Sequence, residues 1–160
     1  MNKKEKIAAY VEAYKEVFKN FDLLAEYLNE NTMSEIAEIY DNLFKFVLDI
    51  SEDERIGELA DLIPTEELVE DICTYHLLAE PHSKREKVEK YIDISIAAEA
   101  KLDEVSPYIT DRALEMLLKP YWDLEKNILD IPEDKKELLF YYMANEIDMT
   151  KEEVINIIAG

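Results

Sequence analysis

Four side chains able to ligate a metal or act as nucleophiles fall close together: Cys73, His76, Glu80 and His82. Cys73 and His76 stand one helical turn apart, so a helix would bring them to one face. A zinc centre would still need a fourth strong ligand, and the paired Cys-x-x-Cys spacing of structural zinc sites is absent. No metal and no cofactor are expected. A di-iron bundle would carry Glu-x-x-His on two helices, and that pattern occurs nowhere in the chain. With two histidines and no glycine-flanked serine, Ser-His-Asp chemistry lacks a scaffold. The two glycines, Gly57 and Gly160, cannot build a glycine-rich phosphate loop. No catalytic residue is therefore assigned, and the chain is expected not to be an enzyme.

Carboxylates are the abundant chemical group. Thirty-eight acidic residues face 18 basic ones, a net charge of −20. The motif Asp-Ile-x-Glu-Asp occurs twice, from Asp49 and from Asp130. Its local reading is a helix start: Asp49 and Asp130 as N-caps, Glu52 and Glu133 in the first turn where the dipole favours acids. Residues 46–80 hold eleven acids against the single base Arg55. Residues 1–80 carry net −13 and residues 81–160 carry −7. So much negative charge disfavours direct contact with nucleic acid or an anionic membrane and favours a basic partner.

The elements that position these groups read as helices throughout. Ile7, Val11, Tyr14, Phe18, Phe21, Ala25 and Leu28 form one apolar stripe on a helix of about 26 residues. Thr32-Met33-Ser34-Glu35 reads as a capping box. The helix it opens buries Ile36, Tyr40, Leu43, Val47 and Ile50. A third helix starts at Asp49, with Leu59 and Ile63 inward. A fourth starts at Pro64 with Leu68 and Ile72 inward, runs to about Ala79 and is stopped by Pro81.

The chain also repeats itself. Shifted so that Lys3 meets Lys84, residues 3–53 and 84–134 match without gaps at 14 positions of 51. These include Lys6/Lys87, Tyr10/Tyr91, Tyr40/Tyr121, Leu43/Leu124 and Asp49/Asp130. Average composition would give about three or four. After a four-residue shift, Thr65-Glu66-Glu67 meets the segment after Thr150, and Cys73 meets Ile158, which points Cys73 to the core. The expected fold is all-α, a tandem duplication of a three- to four-helix unit, with repeats at 1–80 and 81–160 sharing a core. Pro120, where the first copy has Ile39, is expected to kink or split its helix.

The single cysteine excludes an intrachain disulfide and suits a reducing compartment. The basic N-terminus is not followed by an apolar core, so no signal peptide is read. The longest apolar run, Leu138 to Ala144, is far short of a membrane span of about 20 residues. A cytoplasmic protein is expected.

These readings favour an interaction protein that docks on a basic surface, one that would otherwise hold a phosphate backbone. Rigid carboxylates can imitate phosphate spacing. In size, charge and helicity the chain resembles the small proteins that block restriction enzymes, CRISPR effectors or toxin nucleases. Glu58, Asp61, Glu66, Glu67, Glu70 and Asp71 are the candidate partner-binding carboxylates. Trp122, aligned with Asp41 at a position expected to be exposed, is a candidate aromatic anchor. It supports an alternative, a helical adaptor or regulatory subunit using an apolar groove. A ligand-binding bundle or helical enzyme is a third class, and a homodimer is compatible with each.

Overall fold

The computed structural model describes residues 2–26, 30–50, 59, 62–74, 81–128 and 130–159, with the backbone alone at 30, 126 and 127. Among them are seven α-helices, one short 3-10 turn and no strand. The helices are α1 (Lys3–Leu24), α2 (Glu30–Val47), α3 (Thr65–Thr74), α4 (Lys84–Val105), α5 (Asp111–Ile128), α6 (Glu133–Met143) and α7 (Lys151–Ala159).

Reciprocal capping boxes open both long helices. Asn2 accepts from the Glu5 amide at 2.8 Å while Glu5 reaches back to the Asn2 amide; Ser83 and Glu86 do the same at the head of α4. Thr32 opens nothing: α2 already runs from Glu30, so the capping box expected there is incorrect. Pro64 does stand immediately before α3, its carbonyl accepting the Leu68 amide.

Asp49 and Asp130 are not N-caps. Each lies in the left-handed region, at φ 57° and 48°, just beyond the C-termini of α2 and α5. At Asp49 the Ile50 amide bonds to the Lys45 carbonyl and the Asp49 amide to Phe46, the two bonds of a Schellman motif. Asn145 (φ 59°) closes α6 in the same way, through Glu146 to Tyr141 and Asn145 to Tyr142. Asp and Asn take this region more readily than other non-glycine residues, and the chain has almost no glycine to spend there. Helix α6 is capped by Pro132, with Glu133 as its first residue.

α1 packs across α5, α3 and α2; α4 packs across α2 and α7; α6 packs on α7. The larger core joins α1, α2, α3 and α5 with Ala98 and Val105 of α4, and encloses Tyr10, Phe44, Leu68, Leu117 and Tyr121 fully. A smaller one joins Val88 and Ile92 of α4 to Leu139 of α6 and Val154, Ile155 and Ile158 of α7. The expected α2 stripe is buried throughout. The α1 stripe is not: Tyr10, Ala13, Val17 and Leu24 are inside, while Phe18 is 51% exposed and Ala25 faces solvent. An alternating four-and-three spacing averages 3.5 residues per turn, so over six turns of a 3.6-residue helix the stripe drifts off the core face. Leu28 lies outside the described residues.

α5 runs as one helix through Pro120, so of the expected kink or split the split is absent. The proline leaves the Met116 carbonyl, four residues earlier, without its helical donor. Asn20 of α1 donates its side-chain amide to that carbonyl at 2.7 Å.

Candidate functional site

Helix α3 carries the described part of the predicted acidic face. Leu68, Val69 and Ile72 are buried, so the backbone is held by the core. Glu66, Glu67 and Glu70 then project into solvent, and Asp71 is half-buried at the edge. Glu58 and Asp61 lie outside the described residues. Glu70 is not free: it pairs with Lys4 of α1, which raises the lysine pKa by hydrogen bond and charge together. Lys15 binds the Thr65 hydroxyl at 3.1 Å and the Ile63 carbonyl at 3.2 Å, fastening the start of α3 to α1.

Trp122 is 39% exposed. Burial raises the Tyr40 pKa, against a lowering contribution from the Trp122 indole beside it. Asp41, expected at an exposed site, is half-buried instead. It accepts from the enclosed Tyr10 hydroxyl and pairs with Lys45 at 3.1 Å. Burial, then the neighbouring Asp41 charge, drive the Tyr10 pKa well up.

Cys73 is a half-buried free thiol whose pKa is raised, first by burial. His76 and Glu80 lie outside the described residues. His82 is engaged elsewhere. Its ring stacks on Phe46 at 3.7 Å, and its Nδ1 lies 3.2 Å from the Phe46 carbonyl and 3.1 Å from Asp49. Among the described residues no group of three His, Cys, Asp or Glu side chains is placed to hold a metal.

Asp49 is the buried charge among the described residues, 6% exposed. Burial alone would raise its pKa. The His82 amide at 2.8 Å and the Lys87 ammonium at 2.9 Å outweigh that and hold it below the ordinary carboxylate value. Lys6 pairs in the converse sense with Asp130. Between these two pairs, at the first turns of α1 and α4, opens a cleft of about 450 Å³. It is lined by Lys3, Lys6, Lys84 and Lys87 together with the apolar Val47, Val88 and Ile128. Sequence reasoning alone does not single out these lysines, although Lys3/Lys84 and Lys6/Lys87 are among the repeated identities; their type marks them only as minority charge on an acidic chain.

A second, smaller hollow of about 140 Å³ is lined by Tyr91, Glu125, Lys136, Leu139 and Phe140. Burial pushes the Glu125 carboxyl up to about 7, against a lowering hydrogen bond from Tyr91.

Comparison with protein-family models, with curated proteins and with solved structures finds no match to this chain.

Proposed function

We propose that the chain is an acidic helical interaction protein that docks on and blocks a basic partner, a protein that would otherwise hold a phosphate backbone. The observation that supports it is the seating of α3: three carboxylates, Glu66, Glu67 and Glu70, stand exposed on a helix whose opposite face is locked into the core. The helix backbone that carries them needs no ordering on binding; only the glutamate side chains do. Glu70 is already paired with Lys4; a cationic surface would relieve the repulsion between the neighbouring Glu66 and Glu67. No catalytic step belongs to this reading. The exposed ring of Trp122 favours a second reading, an adaptor that uses an apolar anchor.

We further propose the tandem duplication, with units at 1–80 and 81–160. Its support is positional. α1 and α4 both have 22 residues, and α2 and α5 both have 18, at the offset that joins Lys3 to Lys84. Tyr40 and Tyr121 are both buried, as are Leu43 and Leu124, and Ile50 and Ile131. The Lys6–Asp130 and Lys87–Asp49 pairs exchange the two halves.

The docking reading is tested by reversing Glu66, Glu67, Glu70 and Asp71 to lysine. The partner is first captured from the native host and identified by mass spectrometry. Association of the purified pair should slow sharply in the variant and lose its dependence on salt, with helicity unchanged. Unchanged affinity and salt dependence would reduce the acidic face to a solvated surface.

A further inference from the structure

An acidic docking face gives no account of the basic cleft between α1 and α4. Four of the chain's 18 basic residues converge there, Lys3, Lys6, Lys84 and Lys87, against two carboxylates, Asp49 and Asp130. Lys6 and Lys87 are wall residues, with only 14% and 24% of their side chains exposed, and each is rooted on its aspartate. Asp49 is shared: it accepts from the His82 amide and pairs with Lys87 at 2.9 Å and with Lys3 at 3.9 Å, one carboxylate between two lysines. Lys84 has no ion pair among the described residues. The cleft therefore holds two cations in excess among the described residues. It also sets all four in the first turns of helices, where the dipole disfavours them. Such an arrangement costs the free protein stability, and a multivalent anion would remove the cost.

We infer that this cleft binds a small polyphosphate group, either free or carried on a nucleotide. Lysine ammoniums act as point-charge phosphate binders, and among the described residues there is no arginine fork in the lining to select a planar carboxylate. About 450 Å³ is far more than one phosphate fills, and two excess charges call for a chain of phosphates. No aromatic ring among the described residues lines the cleft, so a nucleobase has no stacking platform there and the phosphates carry the recognition. The remaining acidic surface does not prevent this. At physiological salt, charges beyond about 8 Å are largely screened, while the four lysines act at contact. The inference is independent of the α3 docking reading.

The test is calorimetric titration of the full chain at physiological salt with sodium tripolyphosphate and, separately, with ATP. The expected result is saturable one-to-one binding. The double variant Lys3→Ala, Lys84→Ala should weaken it about tenfold or more, since each lost contact is charge-assisted. Both residues are outside the Lys6–Asp130 and Lys87–Asp49 pairs, and circular dichroism verifies that the helices persist. Lys119→Ala, an exposed lysine on α5, should bind as the unaltered chain does. Equal affinity for the two probes identifies a bare polyphosphate, and preference for ATP identifies a nucleotide-borne one. Absence of saturable binding to both probes overturns the inference. So does a double variant that binds like the unaltered chain, or an equal loss in Lys119→Ala.

Discussion

Asn20 and Met116 join α1 to α5 through one hydrogen bond, the Asn20 side-chain amide donating to the Met116 carbonyl at 2.7 Å. Pro120 has no N–H to give that carbonyl, and a half-buried carbonyl without a donor is costly. The bond thus explains how a proline sits inside α5 without dividing it. Asn20→Leu should destabilise the protein by about 1–3 kcal/mol, the penalty for an unsatisfied buried polar group. The double change with Pro120→Ala should recover most of that loss, because alanine at that position has the backbone N–H that restores the helical donor. Denaturant unfolding of the two variants measures the coupling; additive losses would mean that the Asn20 bond does not serve the proline.

The left-handed C-terminal residues give a second prediction. Asn145 is exposed at φ 59°, with its amide bonded to the Tyr142 carbonyl. Glycine meets no Cβ clash there, so Asn145→Gly should stabilise by about 0.5–1 kcal/mol. Asp49→Gly should do the opposite, because it removes the carboxylate that satisfies His82 and Lys87 while leaving the backbone at ease. A rise in melting temperature for the first variant and a fall for the second is the expected pair of results.

Glu125 sets a pH dependence. Its carboxyl stands at about 7 because of burial, faced by Tyr91 of α4, Tyr40 of α2 and Lys136 of α6. The native state keeps a proton that the unfolded chain releases near its ordinary value of 4.5. The stability from this group is therefore fully present below 4.5 and is lost as pH rises through 7. Glu125→Gln removes the ionisation. The variant should match or trail the unaltered protein at pH 4.5 and exceed it at pH 8 by about 2–3 kcal/mol. Urea unfolding at the two pH values checks this; a constant difference between the proteins would show that Glu125 does not carry the titration.

What is legible in the sequence follows from which forces are local. The α2 stripe, the start of α3 after Pro64 and the inward Leu68 and Ile72 are set by periodicity and proline, and the structure has them as expected. Asp49 is misread as an N-cap because an aspartate after an apolar run suits an N-cap and a left-handed C-terminal residue equally. Only the packing of His82 and Lys87 from the start of α4 decides between them, and that contact spans more than thirty residues. The lysine cleft is hidden for the same reason: its four members are a minority charge until two helix ends are brought together. The exposure of Trp122 is legible, but its place beside Tyr40 is not, since that depends on how α5 lies against α2.

The arrangement of helices makes a further prediction about the two halves. α1 finds its main neighbour in α5, and α4 in α2, so each half supplies the wall against which the other packs. Residues 1–80 alone would lose Leu117, Leu118 and Tyr121, which share one core cluster with Ile7, Val11, Tyr40 and Phe44. Tyr40 would also lose the stacked ring of Tyr121, whose centroid lies 5.3 Å away. Exposing each large apolar side chain costs about 1.5–3 kcal/mol, so losing several is comparable with the whole stability of a typical domain. Residues 1–80 and 81–160, prepared separately, should each show reduced helicity and no cooperative thermal transition. Mixed at equal concentration, they should form a one-to-one complex with the helicity of the intact chain, and raising the concentration should raise its melting temperature. A cooperative transition in either half alone, unchanged by adding the other, would mean that the halves are independent domains rather than parts of one core.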